Sequence, residues 1–205
     1  MKIYDISMAI YPGMPVYKNK ADKQPVLSCI SNFSNSSAYE SRIQMDIHTG
    51  THVDAPLHML PYGAAIDQID LSKVITPCKV FDFSDRTEKI SACDLSARDI
   101  KKGDFILLRT RNSYADNFDF DFVYLERSGA AYLSSKGISG VGIDALGIER
   151  SQPEHQTHKI LFKAGIVILE GLRLKEIAEG DYLLVAAPLR IKGAEGAPTR
   201  AVLLR

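Results

Sequence analysis

Short runs of apolar residues, bounded by turn residues, recur along the 205-residue chain. Runs of four to six such residues are too short for most helices and are typical of β-strands that are covered on both faces. We therefore predict strands at residues 79–83, 105–110, 140–143, 166–170, 182–187 and 199–204. A chain with this pattern is expected to fold around a sheet.

Two segments between these strands carry the features of helices. They are residues 123–136 and 153–164, and each is followed by a glycine, Gly137 or Gly165, of the kind that ends helices. Because helices alternate with strands only in the second half, a mixed sheet is favoured over a fully parallel one. We expect an α/β fold with a mixed central sheet, organised as one domain over residues 1–205.

Composition excludes several classes of protein. The chain has 25 Lys and Arg against 25 Asp and Glu, so it lacks the positive surplus that binding to nucleic acid or to an anionic membrane requires. Three cysteines without a Cys-x-x-Cys pair argue against a disulfide scaffold or a zinc ribbon. No signal-peptide core or membrane-length apolar stretch is evident, and we expect a soluble, cytoplasmic protein.

A strict alternation of polar and apolar residues covers residues 42–48. A period of two is typical of a strand with one buried face. It predicts that Ile43, Met45 and Ile47 point into the core and that His48 lies on the opposite side. The strand is expected to lead into a loop that carries most of the histidines.

Residues 48–58 contain three histidines and an aspartate. Imidazole and carboxylate groups are the nitrogen and oxygen ligands that zinc and similar divalent ions take. His48, His52 and Asp54 are spaced by even numbers, so an extended backbone would present them on one side. This spacing predicts a metal site, with His58 beyond it.

Two further segments carry candidate ligands. Glu170 ends the apolar strand 166–170, and a carboxylate there is costly to bury unless a cation pairs with it; a metal or a salt bridge at the sheet rim would serve equally. His155 and His158 lie three residues apart on the predicted helix and hence near one face. Their spacing does not decide which of the two reaches the site.

The sequence HTGTHVDAPLH at residues 48–58 resembles the signature of the cyclase family of metal-dependent hydrolases, whose best-known members are bacterial kynurenine formamidases. The resemblance extends from Asp5-Ile6-Ser7 and the segment PGMP at 12–15 to GVGID at 140–144, GIVILE at 165–170 and PTRAV at 198–202. It covers essentially the whole chain.

This resemblance implies a swivelling β/β/α fold, assembled as a homodimer or homotetramer. It also implies a centre of one or two zinc ions, or of one manganese ion as in isatin hydrolases. The residues that match the family's metal ligands are His48, His52, Asp54, His158 and Glu170. His58 matches the residue that accepts and donates protons, and the family position selects His158 over His155.

One departure concerns the substrate. Formamidases of this family carry a Trp in a Pro-Val-Trp-Pro-Gly segment that lines the pocket, whereas this chain has no Trp and places Tyr17 there, within the segment PVYKN at 15–19. Tyr17 is thus the expected substrate-binding residue.

The resemblance implies hydrolysis of an amide in a small molecule, such as the arylformamide N-formylkynurenine of tryptophan catabolism, by water that the metal activates. The alternatives are a cyclic amide or lactone, as in isatin hydrolases, or a cyclisation. From another class, a non-catalytic assembly protein could use the ion only to hold the loop. His58 lies beside the expected ligands without being one of them, and such an additional histidine favours a catalytic role.

Overall fold

A computed structural model describes residues 1–205, in which thirteen strands form a sheet of nine strands and two sheets of two. The strands are β1 (Ile3–Asp5), β2 (Val26–Ser31), β3 (Glu40–Gln44), β4 (His52–Asp54), β5 (Ile75–Asp82), β6 (Lys89–Ile90), β7 (Phe105–Arg109), β8 (Tyr124–Leu125), β9 (Gly140–Ile143), β10 (Val167–Glu170), β11 (Gly180–Val185), β12 (Gly196–Pro198) and β13 (Val202–Leu204). The helices are α1 (Ala92–Ser96), α2 (Arg127–Lys136) and α3 (Gln156–Lys163).

The large sheet has the strand order β1-β13-β11-β5-β7-β9-β10-β4-β12. Its four middle strands, β5, β7, β9 and β10, run parallel, and the strands on either side are antiparallel to their neighbours. The prediction of an α/β fold with a mixed central sheet is confirmed. All six predicted strands are present, with ends displaced by a few residues.

The middle strands are buried on both faces, as their uninterrupted apolar sequence predicts. Along β7, Ile106 and Leu108 belong to one apolar cluster, which also contains Leu133 of α2 and Leu161 of α3. Phe105 belongs to a second cluster, on the other side of the strand. The two helices therefore cover one face of the sheet. No helix of the chain has both the length and the apolar character needed to cross a membrane.

Helix α2 is shorter than predicted at its beginning. The prediction of a helix from Val123 is wrong because Tyr124 and Leu125 form β8, which pairs in parallel with β6, and the helix starts only after Glu126. Its end is as predicted: Gly137 has a left-handed φ of 66°.

Helix α3 also begins later than predicted. A 3-10 turn covers Pro153–His155, in which Glu154 and His155 have positive φ angles of 58° and 53°, and the α-helix follows from Gln156. Gly165, with φ of 70°, lies just past its end, as predicted.

The prediction for residues 42–48 is wrong in both extent and burial. Strand β3 ends at Gln44 and pairs only with β2, in a hairpin that stands apart from the large sheet. Ile43 is 48% exposed, and Met45 and Ile47 are only partly buried. The alternating residues of β3 belong to a two-stranded hairpin that does not pack on the apolar core, so its apolar residues are not buried.

Candidate metal centre

Strand β4 lies between β10 and β12 in the large sheet, antiparallel to both. Its register places Glu170 opposite His52, and residues directly opposite each other in an antiparallel pair point to the same face. His52 and Asp54 are two residues apart and share that face. The sheet thus brings three of the predicted ligands together, and all three are buried.

His48 and His158 reach the same point from other segments. The Nδ1 atom of His48 lies 2.8 Å from Oδ1 of Asp54, and Nε2 of His52 lies 3.3 Å from that same oxygen. His158, on α3, points Nε2 at Asp54 Oδ2 (3.6 Å) and at Glu170 Oε1 (3.4 Å). All five residues predicted as ligands therefore surround one volume.

This arrangement fits a divalent cation. Buried polar atoms are normally hydrogen-bonded, yet Nε2 of His52 and both carboxylate oxygens of Asp54 have no hydrogen-bond partner. The donor atoms of His52, Asp54 and Glu170 all lie within 4.8 Å of one another. Nitrogen and oxygen donors that converge without partners are what zinc or manganese would satisfy.

The charges of the site are strongly coupled. Burial disfavours the charged imidazole, but the Asp54 and Glu170 carboxylates, each with an oxygen 3.3 Å from Nε2, outweigh it and raise the pKa of His52 to about 10. Burial would raise the pKa of Glu170, as would the Asp54 charge, yet the neighbouring imidazoles of His158 and His52 bring that pKa down to about 2. The carboxylates therefore remain ionised and demand positive charge, from protons or from an ion.

His58 lies beside this group, in a 3-10 turn that begins at Pro56. Its ring centroid is 4.1 Å from that of His48 and 5.8 Å from that of His158. Partial burial lowers the pKa of His58 below its usual value. A neutral imidazole at this place can accept a proton at neutral pH.

A cavity of about 370 Å³ opens above the group. His48, His58, His158 and Glu170 contribute to its lining, and so does Tyr17, the predicted substrate-binding residue. The volume suits a small organic molecule.

Two oxygen acceptors that support the histidines escaped the sequence analysis. Nδ1 of His52 lies 2.9 Å from the carbonyl oxygen of Gly50, and Nδ1 of His158 is hydrogen-bonded to Oε1 of Glu149. Metal-binding histidines usually have such acceptors on the nitrogen that faces away from the ion. No spacing rule identifies them, since they lie in loops.

Thr51 and Gly171 fix the loop 48–51 against the end of β10. The hydroxyl of Thr51 accepts a hydrogen bond from the N–H of Met8 (2.7 Å) and donates one to the carbonyl of Gly171 (2.6 Å). Gly171 has φ of 68°, and a Cβ there would lie 2.3 Å from the carbonyl oxygen of Gly50. This close approach of two backbones brings His48 and His52 to Glu170.

Comparison with known proteins points to one family. Residues 4–150 match the family described as "Putative cyclase". A kynurenine formamidase of Bacillus cereus is 35% identical over 175 residues, which are 84% of this chain and 83% of that protein. A solved structure described as a potential metal-dependent hydrolase with cyclase activity is 51% identical, with a TM-score of 0.93 over 98% of this chain and 96% of its own.

A solved structure of lower sequence identity shares the fold. Isatin hydrolase A from Labrenzia aggregata, solved with benzyl benzoate, is 24% identical and has a TM-score of 0.84 over 98% of this chain and 93% of its own. The fold, the matched family and the kynurenine formamidases at this level of identity lead to one conclusion. The chain belongs to the cyclase family and is a metal-dependent hydrolase.

Proposed function

We propose that the protein hydrolyses the amide bond of an arylformamide of the N-formylkynurenine kind, releasing formate and an arylamine. The observation that carries the proposal is His58 beside the five converging candidate ligands, in the lining of a cavity of small-molecule size. The kynurenine formamidases among the relatives support the choice of substrate. The tyrosine at position 17 offers an aromatic wall in that cavity.

The proposed ligands are His48, His52 and Asp54 for a first ion and Asp54 and His158 for a second, with Glu170 as a ligand of both. Zinc is the proposed metal, with manganese as the alternative for a single ion. A divalent ion supplies Lewis-acid chemistry there: it polarises a carbonyl and lets water ionise near neutral pH.

His58 performs the proton transfers in this proposal. Its imidazole nitrogen takes a proton from the water that attacks the formyl carbon, and it returns the proton to the nitrogen that leaves when the C–N bond breaks. Tyr17 packs against the aryl group. We propose that residues 1–205 work as one catalytic domain, in the cytoplasm.

We further propose that the protein forms a homodimer or homotetramer through the β2–β3 hairpin. Leu27 and Ile43 are cross-strand partners and are 56% and 48% exposed, and Phe33 at the tip is 77% exposed. A two-stranded hairpin is marginally stable alone, and exposed apolar groups on it are typical of an interface. A second copy of the chain is the occupant that the neutral net charge favours.

N-formylkynurenine should be hydrolysed faster than an ester panel, a lactone or isatin, when release of formate or opening of the ring is followed with the zinc- or manganese-loaded protein. Turnover of isatin alone would replace the proposed substrate with a cyclic amide. Loss of all turnover with every substrate, in a protein that binds metal tightly, would favour the assembly role instead.

Substitutions should separate the ligands from the proton carrier. His52→Ala should lose bound metal together with activity, because it removes a donor from the buried group. His58→Ala should keep its metal and lower kcat by about 10²–10⁴. Metal content measured by mass spectrometry beside kcat tests both, and a His58→Ala protein without metal would contradict the role of His58.

Metal affinity should fall as the pH falls. In the metal-free protein the pKa of His52 is about 10 and that of His158 is raised well above its usual value, so both imidazoles carry protons at neutral pH. An ion must displace these protons, and its affinity should drop about tenfold per pH unit for each proton released. Competition with a chelator between pH 6 and 8 measures the slope; a flat profile would argue against histidine ligands.

The oligomer should dissociate when the hairpin is charged. Leu27→Lys is expected to give a monomer in light scattering after size exclusion, because it places an ammonium group in the proposed apolar interface. Leu71→Lys changes a residue of similar exposure (52%) outside the hairpin and serves as the control. A parent chain that is monomeric would contradict the proposal.

A further inference from the structure

We propose that Glu149 is the positioning residue for His158, and that the affinity for the ion held by His158 depends on it. The inference rests on the proposed ligand assignment, since it concerns how one of those ligands is held. Glu149 lies in the loop between β9 and α3, outside the segments on which the resemblance above was based. Its side chain is only 3% exposed.

The hydrogen bonds of Glu149 run to His158 and to the residues around it. Oε1 is hydrogen-bonded to Nδ1 of His158, whereas Oε2 accepts from the backbone N–H of Thr157 (3.1 Å) and from the side-chain amide of Gln152 (3.2 Å). No Lys or Arg pairs with this buried carboxylate, and its other titratable neighbour is the exposed His155, whose Nδ1 lies 3.5 Å from Oε1. A buried carboxylate without such a partner is costly unless it serves a nearby cation.

Ile148, the residue before Glu149, is hydrogen-bonded to Glu170, another proposed ligand. The backbone N–H of Ile148 donates to Oε1 of Glu170 at 2.6 Å, the same oxygen that faces Nε2 of His158 at 3.4 Å. Two consecutive residues thus orient two of the three donors proposed for the second ion. One fixes a carboxylate through the main chain, and the other fixes an imidazole through its side chain.

The physical effect follows from the two nitrogens of the ring. A carboxylate that accepts the Nδ1 proton holds the neutral imidazole in the tautomer whose lone pair is on Nε2, the atom that faces Asp54 and Glu170. It also makes that nitrogen a stronger donor. Loss of such a partner typically lowers metal affinity by about 10–100-fold.

The test measures binding of zinc by chelator competition, ion by ion, in the full-length protein. Glu149→Ala should weaken the ion held by His158 by about 10–100-fold, and Glu149→Gln, which keeps an acceptor but loses the charge, should weaken it less. The first ion, at His48 and His52, should stay within about twofold of the parent in both. Glu154→Gln, an exposed position in the same loop, should match the parent.

Absorption of the cobalt-loaded protein gives a second readout, because a change in the orientation of His158 alters the spectrum of one ion only. A general loss of structure would instead weaken both ions alike and overturn the inference. So would a His155→Ala variant with a loss as large as that of Glu149→Ala, since Glu149 would then be a ligand in a group with His155.

Failure of the underlying assignment would look different. If the parent binds one ion and His158→Ala does not change its affinity, His158 is not a ligand. Both the proposed second ion and the positioning role of Glu149 would then be wrong. If the parent binds one ion, and both His158→Ala and Glu149→Gln lower the affinity for it, the role of Glu149 is supported and the proposal of a second ion is wrong. Unchanged binding in both Glu149 variants of a parent that loads two ions overturns Glu149 alone.

Discussion

Two carboxylates buried side by side impose the central constraint on this molecule. Asp54 and Glu170 come from neighbouring strands, and their oxygens lie within 4.8 Å of His52 and of each other. Two like charges at this distance repel by about 3–4 kcal/mol at an effective dielectric constant of about 20, before the cost of burying them. The sheet can hold them only beside cations, and three imidazoles face them from separate segments.

Much of the site follows from local sequence because strand geometry is simple. The even spacing of His52 and Asp54 predicts a common side, and both lie on one face of β4; His48 reaches Asp54 from the turn before the strand, which the extended geometry did not predict. The apolar run that ends in Glu170 predicts a buried strand with a carboxylate at its end, and β10 is that strand. The choice of His158 over His155 came from the resemblance, since both lie near one face of the predicted helix.

The remainder depends on tertiary contacts that no local pattern contains. Alternation at residues 42–48 is the same whether a strand covers a core or stands out as an arm, so it could not reveal that β3 lies in an isolated hairpin. Val123 and Leu125 look helical beside α2, and only the pairing of β8 with β6 makes that segment a strand. Glu149 is recognisable only once its loop has folded against α3.

The position of β4 has a consequence for the order in which the chain folds and for the stability of the sheet. Its partners are β10 and β12, so residues 52–54 can pair only with segments that lie more than one hundred residues later in the chain. Contacts of such long range form slowly, because a large loop must close first. A cation bound by β4, β10 and α3 would tie the first third of the chain to its last third, as a covalent cross-link does. Its loss would loosen the closure of the whole sheet rather than one loop.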